Sequence, residues 1–417
     1  MNGTKECVII NKCYTKGNKL VAKEKKKVLK TIESGYEELD EKIREHRKSN
    51  LKLLIRILIT TGLVVLAFEI IFALRSYDTY EVTDSVERTS SNVTQYEMFQ
   101  DYLLEYSNDG ISCRGMTQEI IWNQSFEMVT PKIVSCGDYF AIYDAGGTQI
   151  YIMTENGVQK NIETASLIQT ACIAEQGTVA VLMKENNVSQ VKLFDQKGNE
   201  LANGKFYGEK GGFPVDIALS HDGTKLAVDM IDVSAGNVST TISFYNFGSV
   251  GQSEIDNNVG KYTIENVLVP EIDYVSNSRM IGMGTGRILV FDGAQKPELS
   301  KEILINEEVL SYFHNEKYVG IVYNNVDEED LWHIKVMDFR GNIIMENDTS
   351  IAYNEIDFLS NDEICVTSST ECQLFTTYSI KKFSCTFDKE LYKVLAGNTD
   401  QNYTFIFKDT IEEVKLK

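Results

Sequence analysis

From residue 102 onward, apolar and polar positions alternate in short runs rich in Val, Ile, Tyr, Phe and Thr, separated by Gly, Asn and Asp. Such alternation predicts short, half-buried β-strands. Only four prolines occur in 417 residues, so few of these strands are interrupted. No long helical period follows residue 100. Two earlier segments follow other rules. Residues 57–74 (ILITTGLVVLAFEIIFAL) form one apolar stretch. Its length suits a membrane-crossing helix, which takes roughly 17–25 residues. Residues 23–48 are helical in pattern, and Leu29, Ile32, Tyr36, Leu39, Ile43, His46 and Asn50 follow one another at spacings of 3 and 4. That stripe predicts a coiled-coil seam between two copies or with a cytoplasmic partner, or an amphipathic helix resting its lysines on lipid headgroups.

The β-runs repeat. One strand type recurs at Asp138-Tyr-Phe-Ala-Ile-Tyr, Gly177-Thr-Val-Ala-Val-Leu, Thr224-Lys-Leu-Ala-Val-Asp, Ser278-Arg-Met-Ile-Gly-Met, Glu316-Lys-Tyr-Val-Gly-Ile, Asp362-Glu-Ile-Cys-Val-Thr and Gln401-Asn-Tyr-Thr-Phe-Ile. The steps are 39, 47, 54, 38, 46 and 39 residues. A second strand follows each of the first five, closed in places by a turn such as Asp195-Gln-Lys-Gly198 or Asp338-Phe-Arg-Gly341. A period of about 40–50 residues with four short strands is the signature of propeller blades. The expected fold is all-β, a seven-bladed propeller over residues 101–417, with eight blades as the alternative. The final repeat, from Leu391, lacks an outer strand, and residues 102–126 lack a leading one. These two fragments are expected to complete one blade and close the ring.

Charge sets the direction. Residues 1–50 carry +5 and residues 51–75 carry +2, so a whole-chain charge of −20 leaves −27 on the rest. The positive-inside bias then places residues 1–52 in the cytoplasm as a basic stub, 53–75 as an uncleaved signal-anchor, 76–100 as a stalk and 101–417 outside the membrane. Lys52, Arg56 and Arg75 mark the membrane boundary, and Glu69 is the one acid within the span. A domain at −27 lacks the Lys/Arg patches that phosphates need, which excludes nucleic acid as a partner.

The segment Ser220-His-Asp-Gly-Thr-Lys-Leu-Ala-Val228 closely resembles the Ser-Pro-Asp-Gly-x-x-Leu-Ala-Val hairpin of TolB-like and WD-repeat-like propellers, with His221 in the proline position. The N-terminal β-fragment with Ile121-Trp122 resembles a quinoprotein-type blade. The layout as a whole resembles uncharacterised single-pass propeller proteins of clostridia and related Gram-positive bacteria. That resemblance implies a fold and no chemistry.

Candidate chemistry is sparse. Gly282-Met-Gly284-Thr-Gly286 lies between two strand patterns and reads as a hairpin, since a phosphate cradle must open a helix. Asp327-Glu-Glu-Asp330 lacks calcium-loop spacing and reads as a solvated hairpin tip. The four histidines, His46, His221, His314 and His333, form no metal or catalytic motif, and no nucleophile elbow is present. Cys7 and Cys13 fall on the reducing side, and six cysteines fall in the β-region. Among those six, a two-residue turn at Ser368-Ser369 would set Cys365 opposite Cys372, within disulfide range. No catalytic residue, metal or cofactor is expected. The expected role is a non-enzymatic binding or scaffold module of the cell envelope, with a protein or cell-wall partner and a homodimer through the cytoplasmic helix. A receptor passing a signal inward, or an enzyme using the channel face, is the alternative.

Overall fold

The computed structural model describes residues 41–48, 50–65, 74–88, 94–115, 119–208, 211–233, 236–324 and 332–417. The chain divides into two compact units, Met1–Ala73 and Leu74–Lys417. In the first, residues 41–48 and 50–65 are α-helical and exposed, Lys52 and Arg56 among them. No helix among the described residues is long and apolar enough to cross a membrane. The expected span shares residues 57–65 with this helix; its continuation over 66–73, with Glu69, lies outside the described residues. So do the seam positions up to Leu39, Cys7, Cys13 and the acidic run Asp327–Asp330.

In the second unit the described residues form eight four-stranded antiparallel sheets. Seven are consecutive meanders. Blade 1 runs from Gln95–Phe99 to Ile120–Ser125, blade 2 from Pro131–Cys136 to Gly157–Glu163, and blade 3 from Leu167–Ile173 to Glu200–Tyr207. Blade 4 spans Phe213–Leu219 to Asn258–Glu265, blade 5 Glu271–Ser276 to Glu298–Leu304, blade 6 Val309–His314 to Ile343–Thr349, and blade 7 Glu355–Phe358 to Lys381–Thr386. Blade 8 takes its three inner strands from Leu391–Ala396, Asn402–Phe407 and Thr410–Leu416, and its outer strand from Tyr80–Glu87.

A sheet this small cannot bury both faces alone, so the core lies between blades. Eight apolar clusters fill the eight interfaces. Phe140 and Ile142 of blade 2 pack on Leu104 and Cys113 of blade 1, for instance, and Leu226 and Val228 of blade 4 on Ala180 and Leu182 of blade 3. Each fully buried Leu, Val, Ile or Phe contributes roughly 1.5–3 kcal/mol. The interface between blades 8 and 1 is the thinnest, with Tyr96 and Leu103 against Leu395, Ile406 and Ile411. Polar groups reinforce it. Arg88 donates from Nε to the Tyr96 hydroxyl (2.5 Å) and from a terminal nitrogen to the carbonyls of Phe407 (3.1 Å) and Lys408 (3.0 Å). Its guanidinium also stacks on Tyr392, 4.7 Å from the ring centre. Tyr96 in turn donates to Glu105 (3.1 Å), which Arg114 holds at 2.8 Å.

The ring therefore has eight blades, not seven. The missed copy of the recurring strand is Tyr102–Ser107, where Glu105 interrupts the apolar run. Glu105 is buried there because Arg114 and Tyr96 partner it. The closure is corrected too. Residues 102–126 do not complete the last blade, because Gln95–Phe99 leads them. Tyr80–Glu87 pairs with Thr410–Leu416 instead, from Tyr80 opposite Leu416 to Glu87 opposite Thr410. Residues 76–100, read as a stalk, thus hold two strands. As an outer strand, Tyr80–Glu87 leaves most of its side chains exposed, so its sequence carries little apolar alternation. Tyr80 and Val86 are the exceptions, and Tyr80 stands edge-on to Phe405 at 5.3 Å and to Phe387 at 5.9 Å.

Arg88→Ala is expected to destabilise the propeller by about 2–3 kcal/mol, the scale of lost hydrogen bonds from a charged donor. Arg340→Ala, on an exposed turn, should stay within about 0.5 kcal/mol. Chemical unfolding of the two variants checks this. Removing residues 410–417 should expose strand edges on both sides and lead to aggregation, read by light scattering.

Candidate functional site

In every blade the turn from the innermost to the second strand lies on the same face of the ring. Several of these turns are tied to the next blade. Gln100 donates to the Asp138 carboxylate at 2.8 Å, and Glu175 N–H to the His221 carbonyl at 2.9 Å. Gln176 donates to the Asp222 carbonyl at 2.8 Å, and Asp222 N–H to the Asn277 side chain at 2.6 Å. The Ser220–Thr224 turn is rigid for local reasons. Asp222 accepts from Ser220 Oγ (2.6 Å), Thr224 N–H (3.0 Å) and Thr224 Oγ1 (2.7 Å), while Gly223 takes φ +64°. Burial would raise the Asp222 carboxyl, but these bonds and Lys225 outweigh it and bring it down to about 2.

The innermost strands line the channel. They carry six carboxylates (Glu97, Asp216, Glu271, Asp273, Glu355 and Asp357) against two lysines, Lys132 and Lys393, and one histidine, His314. A cavity of about 200 Å³ opens among blades 7, 8 and 1, with Glu97, Glu355, Asp357 and Lys393 in its wall. Lys393 reaches Glu355 at 2.5 Å. Glu97, Glu355 and Lys393 are half-buried, and Asp357 stands exposed beside them. Desolvation by the surrounding protein pushes the carboxyls of Glu97, Asp357 and Asp273 up. For Lys393 burial acts downward, but Glu355 and Glu97 outweigh it and raise the ammonium. Burial likewise pulls His314 down, and Glu271 (3.8 Å) and Asp273 (4.0 Å) more than reverse that.

Blade 4 holds an unusual pair. Asp216 stands opposite Asp229 in the strand register. Asp229 is 0% exposed, and among the described residues no side chain hydrogen-bonds its oxygens. Burial, with Asp216 next to it, raises the Asp229 carboxyl to about 8. Burial raises Asp216 to about 7 despite the Ile272 N–H donated to it at 2.9 Å.

At the turn face, Cys136 Sγ, a Glu175 carboxylate oxygen and a His221 ring nitrogen lie within 4.8 Å of one another. They come from blades 2, 3 and 4. Sequence reasoning missed this set because each member is a single residue in a separate repeat. The legible signal was position: all three sit just ahead of the recurring strand in consecutive repeats. His221 does lie in a turn and His333 near the start of a strand, as expected. The glycine-rich Gly282–Gly286 segment forms a hairpin with Gly286 at φ +71°. Cys365 and Cys372 are free thiols. The two central residues of the turn are Ser369 and Thr370, one position later than expected, closed by Ser368 N–H to the Glu371 carbonyl at 2.9 Å. That register puts Cys372 opposite Thr367 and Cys365 opposite Leu374. Arg75 is exposed.

The model of DUF5711, a family of unknown function, matches residues 73–416. A search of curated proteins finds no match. Among solved structures, the fold is similar to BamB from Moraxella catarrhalis, at 12% identity over 81% of this chain and 100% of that one, with a TM-score of 0.49. It is also similar to a eukaryotic initiation factor, at 11% identity over 79% and 83% with a TM-score of 0.50, and to BBS1N solved with ARL6DN, at 10% identity over 82% and 98% with a TM-score of 0.44. At these identities the likeness is one of fold.

The buried pair has a pH signature. Both carboxyls bind protons more tightly folded than unfolded, where an aspartyl group titrates near 3.9. Between about pH 4 and pH 8 the folded state holds the extra protons, so stability falls as pH rises through that window. Asp229→Asn should flatten this slope by an amount on the order of a few kcal/mol across the window. Thermal melting at about pH 5 and pH 8 measures it, with the wild-type slope as reference.

Proposed function

The chain belongs to DUF5711, a family of unknown function, and we propose that it is a non-enzymatic binding module that receives a positively charged group of a protein partner at its channel. The carrying observation is the channel wall, where Glu97, Glu271, Asp273, Glu355 and Asp357 face two lysines and a histidine. Such a wall, with protein around it, focuses a negative potential and favours a cationic Lys or Arg side chain. The whole-chain charge of −20 adds long-range attraction for a basic partner. Eight interlocked blades supply a stiff frame for it, so little order has to be gained on binding.

We place the propeller outside a membrane, tethered by the apolar stretch over 57–74. Support comes from the contrast between +5 on residues 1–50 and −27 beyond residue 75. The helix over 50–65, with Lys52 and Arg56 near its start, is consistent with this tether.

A photo-crosslinking residue at Asn277, on the turn face, should trap a partner in cells. Glu355→Gln with Asp357→Asn should reduce that trapping, and raised salt should reduce it further. Equal trapping from Leu201, on an exposed outer strand, would overturn the channel reading. For topology, protease added to intact wall-stripped cells should digest the propeller and spare the stub. Full protection of the propeller would overturn the placement.

A further inference from the structure

We propose that Cys136, Glu175 and His221 form a binding site for a zinc-class divalent transition metal at the turn face of blades 2 to 4. The donor set is one thiol sulfur, one imidazole nitrogen and one carboxylate oxygen. Sulfur and imidazole together select Zn²⁺-like ions over Ca²⁺ and Mg²⁺, which prefer oxygen alone. The three donor atoms already lie within 4.8 Å of one another, and the Nδ1 of His221 is 4.0 Å from Glu175. In a tetrahedral site with metal–ligand bonds of about 2.0–2.3 Å, neighbouring donors stand about 3.5 Å apart. Small side-chain movements close the difference, and Glu175, with its side chain 57% exposed, is free to make them.

An independent observation concerns the histidine. Its Nε2 lies 2.9 Å from the Tyr274 carbonyl. A carbonyl only accepts, so Nε2 carries the proton and the lone pair resides on Nδ1, the nitrogen nearer Glu175. A backbone carbonyl holding the far ring nitrogen is the usual support of a metal-bound histidine. The turns are fixed as well. The Glu175 N–H bond to the His221 carbonyl sets two of the ligands relative to each other. Gly137 (φ +57°) allows the Glu175 side chain to pass next to Cys136, since a Cβ there would stand 3.0 Å from Glu175 Cγ.

Glu175, Asp273 and Glu316 are the charges acting on Cys136, and their sign favours a divalent cation beside it. Binding releases the thiol proton and leaves a thiolate on the metal. Three protein ligands leave a fourth position for water or for a group from outside.

The test uses full-length protein purified with chelator and titrated with Co²⁺, then Zn²⁺. One equivalent of Co²⁺ should give a thiolate-to-cobalt charge-transfer band with release of the thiol proton, and Zn²⁺ should then displace Co²⁺ and bleach the band without further proton release. Cys136→Ser should abolish the band, Glu175→Gln and His221→Gln should weaken Co²⁺ binding, and Cys385→Ser should leave it intact. Circular dichroism confirms that each variant is folded. The proposal is overturned if wild-type protein gives no band, or if the band survives Cys136→Ser.

Discussion

Everything in the propeller depends on the pairing of Tyr80–Glu87 with Thr410–Leu416. A four-stranded sheet has two apolar faces and two open edges. Stacking hides the faces, but stacking in a row leaves the first and last blades half covered. Only a ring removes those ends, and a ring needs a fastening. Here that fastening is a strand from one end of the domain completing a sheet built from the other. The apolar seam between blades 8 and 1 is thin, so the adjoining Arg88, Tyr96 and Glu105 network carries a correspondingly larger share of closure. On the blade 7 side of the same blade the balance is different. Phe383, Phe387, Phe405 and Phe407 form a dense aromatic cluster, and buried Lys382 is held by Glu363 and Tyr403.

Much of this architecture was legible in the sequence, and the failures share a cause. The recurring strand is the second of each blade, with neighbours on both sides and blades against both faces. Its sequence is therefore apolar throughout, and seven of its copies stood out. The eighth, Tyr102–Ser107, was hidden by Glu105, a charge buried only because Tyr96 and Arg114 on the two flanking strands partner it. Outer strands such as Tyr80–Glu87 face solvent, so their composition resembles a linker. Alternation reports burial, and a strand that is hydrogen-bonded yet exposed gives almost no signal.

The site was less legible than the fold for a related reason. A catalytic motif places its residues a few positions apart in one segment. A propeller draws one residue from each of several repeats, and Cys136, Glu175 and His221 are tens of positions apart in the chain. The channel acids are likewise one or two to a strand, each looking like the polar half of an alternating pattern. Asp216 and Asp229 gave no warning at all, because nothing in either strand alone reveals that the two carboxyls face each other.

The closing strand also has a consequence in time. Thr83 hydrogen-bonds to the Glu413 carbonyl across 330 residues of sequence. Tyr80–Glu87 is made first and has no sheet to join until blade 8 has been completed. Local hairpins and neighbouring blades can assemble in order as the chain emerges, but this pairing must wait and then bridge the longest loop in the domain. Until that moment Thr410–Leu416 offers an open edge to any other strand nearby. The mostly polar, exposed character of Tyr80–Glu87 suits an element that spends its early life unpaired, since a strand in which five of eight residues are Ser, Thr, Asp or Glu tolerates waiting in water better than an apolar one.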